Sequence, residues 1–162
     1  MTIDLCRRAG TAFRRRHALA SSWRRLSGRE RREFVAFAAI IPIITLALHT
    51  IGFRRTQAAL AASIRRRPAG RTDARDVAVR GLQRARRYAP YRGNCLPQSL
   101  ALWWRLRRQG LQAEFCLGAR LDAGELAAHA WVEADGRALN DSPTVRDRFA
   151  AFESLGSSRP AN

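Results

Sequence analysis

The chain has 162 residues, 46% of them hydrophobic. That suits one modest domain with a core of its own and excludes wholesale disorder, collagen, low-complexity and disulfide-knot classes. All 30 basic residues are arginine, which excludes catalysis by a lysine, whether through a Schiff base, a P-loop or a Ser-Lys dyad.

The net charge of +17 is unevenly spread. Residues 1–33 carry ten arginines and three acids, residues 34–53 no formal charge, and residues 54–92 twelve arginines and two acids. Residues 93–162 balance eight arginines against eight acids. The chain therefore reads as a basic half and a neutral globular half. The expected organisation is a basic, helical region over 1–90, a core over 91–153 and a loose tail over 154–162. Three cysteines, Cys6, Cys95 and Cys116, cannot all pair and match no zinc spacing. A reduced, cytoplasmic protein is the simplest reading.

In chain order, residues 1–26 predict a basic surface helix with Leu5, Phe13, Leu19, Trp23 and Leu26 as its apolar points. Ser27 and Glu30 have capping-box spacing. The helix they start places Phe34, Phe37, Ile41, Ile44, Leu48 and Ile51 on one face, with Gly52 as its stop. The charge-free run 34–53 is also long enough to span a bilayer. Pro42 and the polar Thr45, His49 and Thr50 argue instead for a buried or groove-docked helix, with membrane spanning or interfacial insertion as the alternative. Arg31-Arg32 before this run has the look of a twin-arginine export signal, but in a chain this rich in arginine it reads as coincidence.

Further helices are expected near 54–66 and 73–88, separated by Pro68-Ala-Gly70, with Thr72 as a cap. Residues 95–109 predict a helix with Pro97 in its first turn and Gly110 at its end. Its apolar stripe is Leu96, Leu100, Trp103 and Leu106. Residues 111–120 alternate as a strand, and 126–133 and 137–141 read as two more strands joined around Asp135-Gly136. The fold class is thus α+β, a helical region packed with a helix-then-antiparallel-sheet core.

Cys95 opens a helix, where unpaired backbone N–H groups and the positive end of the dipole favour an ionised, nucleophilic sulfur. His129 follows in a strand and Asp141 in the next. A helix-start Cys, a strand His and a strand Asp occur in this order in papain-like and transglutaminase-like sites. The hairpin decides the third member. A three-residue loop, Ala134-Asp135-Gly136, opposes His129 to Asp141, whereas a two-residue loop at Asp135-Gly136 puts Asn140 on the His129 face. The three-residue loop is the expected one. Cys95 is then the nucleophile, His129 the base and Asp141 the orienting acid. The Cys95 N–H and Asn94 are candidate oxyanion donors and Asn140 a supporting residue. Cys116, inside a strand, reads as buried filler. No metal site is expected from Cys95, Cys116 and His129, which contain no close ligand pair.

The stretches Cys95-Leu-Pro-Gln-Ser-Leu-Ala-Leu-Trp-Trp104, Leu106-Arg-Arg-Gln-Gly-Leu-Gln-Ala-Glu114, Ala127-Ala-His-Ala-Trp-Val-Glu133 and Leu139-Asn-Asp-Ser-Pro143 carry a family resemblance. On them, residues 94–152 resemble lasso peptide biosynthesis B proteins, transglutaminase-like cysteine peptidases that remove the leader from a lasso precursor. The region around 24–60, with Trp23-Arg-Arg-Leu-Ser and Gly52-Phe-Arg-Arg, is similar more loosely. The resemblance implies the same roles for Cys95, His129 and Asp141. It implies three partners: a precursor peptide, a leader-binding protein and an asparagine-synthetase-like macrolactam cyclase. Residues 1–90 show no strand pattern, so the leader-recognition domain that some members carry is expected to be a separate protein. No cofactor is expected in this chain, and any ATP dependence is assigned to the cyclase. Transglutaminase-like acyl transfer to an amine and a basic nucleic-acid- or membrane-binding module are the alternatives. The neutral last 70 residues and the Cys-His-Asp set argue against specific nucleic-acid binding.

Overall fold

A computed structural model of the chain describes residues 26–65, 72–122 and 124–152. The expected helix over 1–26 (all but its last residue), the break at Pro68-Ala-Gly70, the side-chain cap of Thr72 and the tail from Ser154 lie outside what is described.

Helix α1 (Gly28–Ala62) starts on the predicted capping box. Ser27 Oγ accepts the Glu30 N–H (3.3 Å) and the Glu30 carboxylate accepts the Ser27 N–H (3.0 Å). Gly52 breaks the helix at φ 78°, ψ 171°, a conformation that favours glycine. It does not end it. A single left-handed residue redirects the chain without a loop, so the helix expected over 54–66 continues at once as a second leg to Ala62. Phe37, Ile41 and Ile44 are buried as their spacing predicts, whereas Ile51, near the kink, is exposed.

Helix α2 (Thr72–Tyr88) packs through Ala78, Leu82 and Ala85. Helix α3 (Cys95–Arg108) is buried on most of its surface, from Pro97 through Trp103 and at Leu106. This makes it the central helix of the fold. Glu33 on α1 ties itself to α3: Arg105 donates to its two oxygens (2.6 and 3.2 Å) and Gln109 donates to Oε1 (2.8 Å). A buried carboxylate held by three donors fixes the angle between the first helix and the central one.

The sheet is antiparallel, in the order β3-β2-β1-β4. Its strands are β1 (Glu114–Asp122), β2 (Glu125–Ala134), β3 (Arg137–Ala138) and β4 (Ala150–Ala151), with a one-turn helix α4 (Val145–Arg148) before β4. The β1–β2 register pairs Gly118 with His129 and Glu114 with Glu133. Ala130 and Val132 join Phe115 and the helices in the main core. Trp131 and Cys116 face the other way, into a small second core closed by Val145 and Phe149. The structure is thus α+β as expected, with a second layer from 145–151 that sequence patterning did not indicate.

The hairpin corrects the predicted loop. Ala134 pairs with Arg137 around a two-residue turn. Asp135 (φ 52°) and Gly136 (φ 73°) are both left-handed, as a type I′ turn requires. That turn matches the strand twist, which outweighs the predicted three-residue bulged loop. The strand expected over 137–141 also stops at Ala138.

Candidate active site

The site is assembled where β3 gives out. Leu139 N–H still donates to the Val132 carbonyl (2.8 Å). The Val132 N–H, however, is taken by the side-chain Oδ1 of Asn140 (2.8 Å). Asn140 Nδ2 donates to Ser99 Oγ (2.9 Å), and Ser99 Oγ donates to the Ala130 carbonyl (2.9 Å). Arg86 on α2 donates to the Asn140 carbonyl (3.3 Å). A side chain has replaced the next rung of the ladder, so the backbone bends away from β2 here.

This bend decides which residue meets the imidazole. In a two-residue hairpin continued as regular strand, Asn140 would oppose Trp131 on the same face as His129, and Asp141 would point to the other face. Here Asn140 is drawn in to Val132 and Ser99, and Asp141 reaches the imidazole instead. Asp141 Oδ2 lies 2.6 Å from His129 Nε2, and Oδ1 accepts the Ser142 N–H (2.7 Å). The expected pair is found, but a bend produces it and not the predicted register. Burial works against the charge of Asp141. The bonds from His129 and Ser142, with the charges of His129 and Arg148, outweigh it and hold the carboxyl below the ordinary carboxylate range. Asp141 is therefore an ionised acceptor that orients the Nε2 side of the ring, leaving Nδ1 as the other ring nitrogen.

His129 is held from the side as well. The Phe149 ring stacks on it at 4.9 Å and 25°, and Trp131 lies 6.2 Å away at 18°. Phe149 carries the guanidinium groups of Arg120 (5.2 Å) and Arg148 (5.5 Å) on its ring. Trp131 donates its indole N–H to Glu133 (2.6 Å), which also receives two bonds from Arg146 (2.7 Å each). The Arg146 bonds above all keep the Glu133 carboxyl low, against burial, with help from Trp131. A Cβ at Gly118 would come within 2.9 Å of the Trp131 ring and 3.0 Å of the Ala150 carbonyl. Only glycine lets the indole lie against β1 opposite His129.

Cys95 is the first residue of α3, half-buried and reduced. Asn94 precedes it in extended conformation (φ −94°, ψ −170°), and its exposed side chain makes no capping bond. The first backbone N–H groups of α3 are thus not taken by that side chain. Cys95 and Ser99 are one helical turn apart on one face, and Ser99 is bonded to the residue after His129. The second turn of α3 therefore meets β2 at Ala130, where the Asn140 side chain enters. Gln98, buried in the same turn, donates to the carbonyls of Arg92 (2.8 Å) and Gly93 (3.1 Å) and holds the segment leading into Cys95.

Cys116 sits in the second core, where burial first and the Glu133 charge next push its thiol up to about 12. It stays protonated and inert. Among the described residues, Cys95, Cys116 and His129 do not gather into a metal-binding group.

Sequence reasoning missed Ser99, Trp131, Glu133, Arg146 and Phe149. Ser99 had a signal, a lone hydroxyl four residues after Cys95 on a buried helix. Phe149 and Arg146 had none, because the segment that carries them has no periodic pattern.

Over 65 residues, 40% of this chain, the sequence is 29% identical to the microcin J25-processing protein McjB of Escherichia coli. The match spans 30% of that relative's length. No solved structure matches the chain. The family model described as the transglutaminase-like superfamily matches residues 37–154. That model spans well over half of the chain, and the chain belongs to the transglutaminase-like superfamily.

Proposed function

We propose that the chain is a cysteine peptidase that removes the leader peptide from a lasso peptide precursor. The observation that carries this reading is the 2.6 Å His129–Asp141 pair, set at the edge of β2 that the first turns of α3 meet. The partial similarity to a microcin-processing protein supports the choice of substrate.

In the reaction, Cys95 Sγ attacks the scissile carbonyl and its proton passes to His129 Nδ1. Asp141 accepts from Nε2–H and stabilises the imidazolium without taking the proton. The oxyanion is received by the Cys95 N–H at the positive end of α3 and by the Asn94 side chain. His129 then protonates the leaving amine and the C–N bond breaks, leaving a thioester on Cys95. Water attacks the thioester, gives a proton to His129 and releases the carboxylate. The proton returns to sulfur. No step calls on a cofactor, and ATP use belongs to an asparagine-synthetase-like cyclase that closes the macrolactam. A separate leader-binding protein presents the precursor.

The test is a mass measurement on wild type and Cys95→Ala, each incubated with a lasso precursor encoded beside the chain and its leader-binding partner. Leader release by wild type alone is the expected result. A product carrying an added amine in place of water would shift the reading to acyl transfer. Equal absence of cleavage, with folded protein and all partners supplied, would end it.

A further inference from the structure

Helix α1 has two apolar faces, and the fold uses one. Phe37, Ile41 and Ile44 are buried, while Val35, Ile43 and Leu46 are 53%, 65% and 65% exposed. With exposed Ala39 between them, they follow steps of four, four and three and form one stripe on the outward side. The stripe runs for about 17 Å at 1.5 Å per residue. Only 17% of the most apolar stretch of α1 is buried, and the helix is long and apolar enough to cross a membrane. Its inner face is nevertheless committed to the core, and Glu33 is locked to Arg105 and Gln109. Crossing a bilayer would break both. Lying in the plane of a membrane surface would break neither.

The surrounding charge names the partner. No formal charge falls between Phe34 and Phe53. Exposed Arg32 sits one turn before the stripe, and exposed Arg54 and Arg55 follow the kink at Gly52. The acids nearest the stripe are turned away from it: Glu30 pairs with Arg80 and Arg84, and Glu33 with Arg105. The threonine hydroxyls along this stretch are also satisfied. Thr45 and Thr50 donate to the carbonyls of Ile41 (2.9 Å) and Leu46 (3.0 Å), so contact with lipid strands neither hydroxyl. We propose that this stripe docks the protein on an anionic membrane surface, with Val35, Ile43 and Leu46 in the acyl boundary and Arg32, Arg54 and Arg55 on lipid phosphates. This is independent of the catalytic reading.

The test is co-sedimentation of the full chain with phosphatidylcholine vesicles, with and without about a third phosphatidylglycerol, at low and high salt. Wild type is expected on the anionic vesicles. Ile43→Asn/Leu46→Asn leaves the net charge unchanged and should weaken partition about tenfold or more. Arg32→Gln/Arg54→Gln/Arg55→Gln should remove the preference for anionic lipid. Circular dichroism checks folding, and Val35→Asn serves as the apolar variant if the double one misfolds. Three results would overturn the proposal. Wild type could fail to bind. The charge-neutral variant could bind as wild type does, which would leave non-specific attraction of a +17 chain. Light scattering could show a dimer that Ile43→Asn/Leu46→Asn dissociates, which would assign the stripe to a second copy.

Discussion

Asn140 is where fold and chemistry are joined, and Asn140→Ala tests the join. The substitution removes the acceptor of the Val132 N–H and the donor to Ser99, and Val132 and Ser99 are both fully buried. The lost bond to Ser99 is worth about 1 kcal/mol net, and the stranded Val132 N–H costs about 1–3 kcal/mol in place of its own bond, because water cannot reach it. Ser99 keeps its own bond to Ala130, so only one group is stranded. The sum is about 2–4 kcal/mol, below the roughly 5–15 kcal/mol that holds a domain together. The variant should fold, with a lower urea midpoint. Its second effect is on the neighbour, since the bend that delivers Asp141 to His129 is held by the Asn140 side chain. A loosened Asp141 should lower kcat by up to about 100-fold while KM changes little, as an ångström of misplacement does at a reacting centre. Asn140→Asp keeps the acceptor for Val132 and should fall between the two. Steady-state cleavage and urea unfolding on the same preparations read both effects. Stability within about 0.5 kcal/mol of wild type, the scale of an ordinary surface change, together with unchanged kcat, would refute the reasoning.

The other predictions concern the support of the site. Arg146→Ala should cost more than Glu133→Gln, about 3–5 against about 1–2 kcal/mol in urea unfolding, because the first leaves an unpaired buried carboxylate. Glu133 is 5% exposed and Arg146 54%, so only the arginine can turn to water; the opposite order would count against this. Gly118→Ala should destabilise by about 1–3 kcal/mol through overpacking and shift tryptophan fluorescence, since its Cβ meets the Trp131 ring. Unchanged stability and emission would contradict that contact. Asp141 and Glu133 both hold their protons less tightly than ordinary carboxyls. Their ionised forms therefore favour the folded chain: the contribution is complete above the ordinary carboxylate range and drains away as pH falls through it toward their lowered values. Melting temperature against pH should accordingly fall less steeply on the acid side for Asp141→Asn than for wild type, and parallel curves would exclude a folded-state shift at Asp141.

What could be read from the sequence divides along the range of the forces involved. Local signals worked wherever one segment decides its own structure. The capping box set the start of α1 and the apolar spacing named Phe37, Ile41 and Ile44 as core, whereas Gly52, read as the helix's stop, only kinks it. The exposure of Val35, Ile43 and Leu46 was not legible, because an apolar residue states that it can be buried and not that a neighbour exists to bury it. The hairpin shows the same limit more sharply. Two turns were compatible with Asp135-Gly136, and the chosen one gives the opposite parity to the one expected, yet the expected partner still meets His129. The cause is Ser99, 41 residues before Asn140, which with Val132 draws the Asn140 side chain inward and turns the next residue toward the imidazole. Parity arguments hold while a ladder is continuous. Where a side chain takes over a rung, the residue that follows is placed by the side chain's partners, and those are tertiary. The His–Asp pair was legible because order and spacing along the chain confine the candidates to two adjacent residues. The choice between them was settled by a hydroxyl on another element.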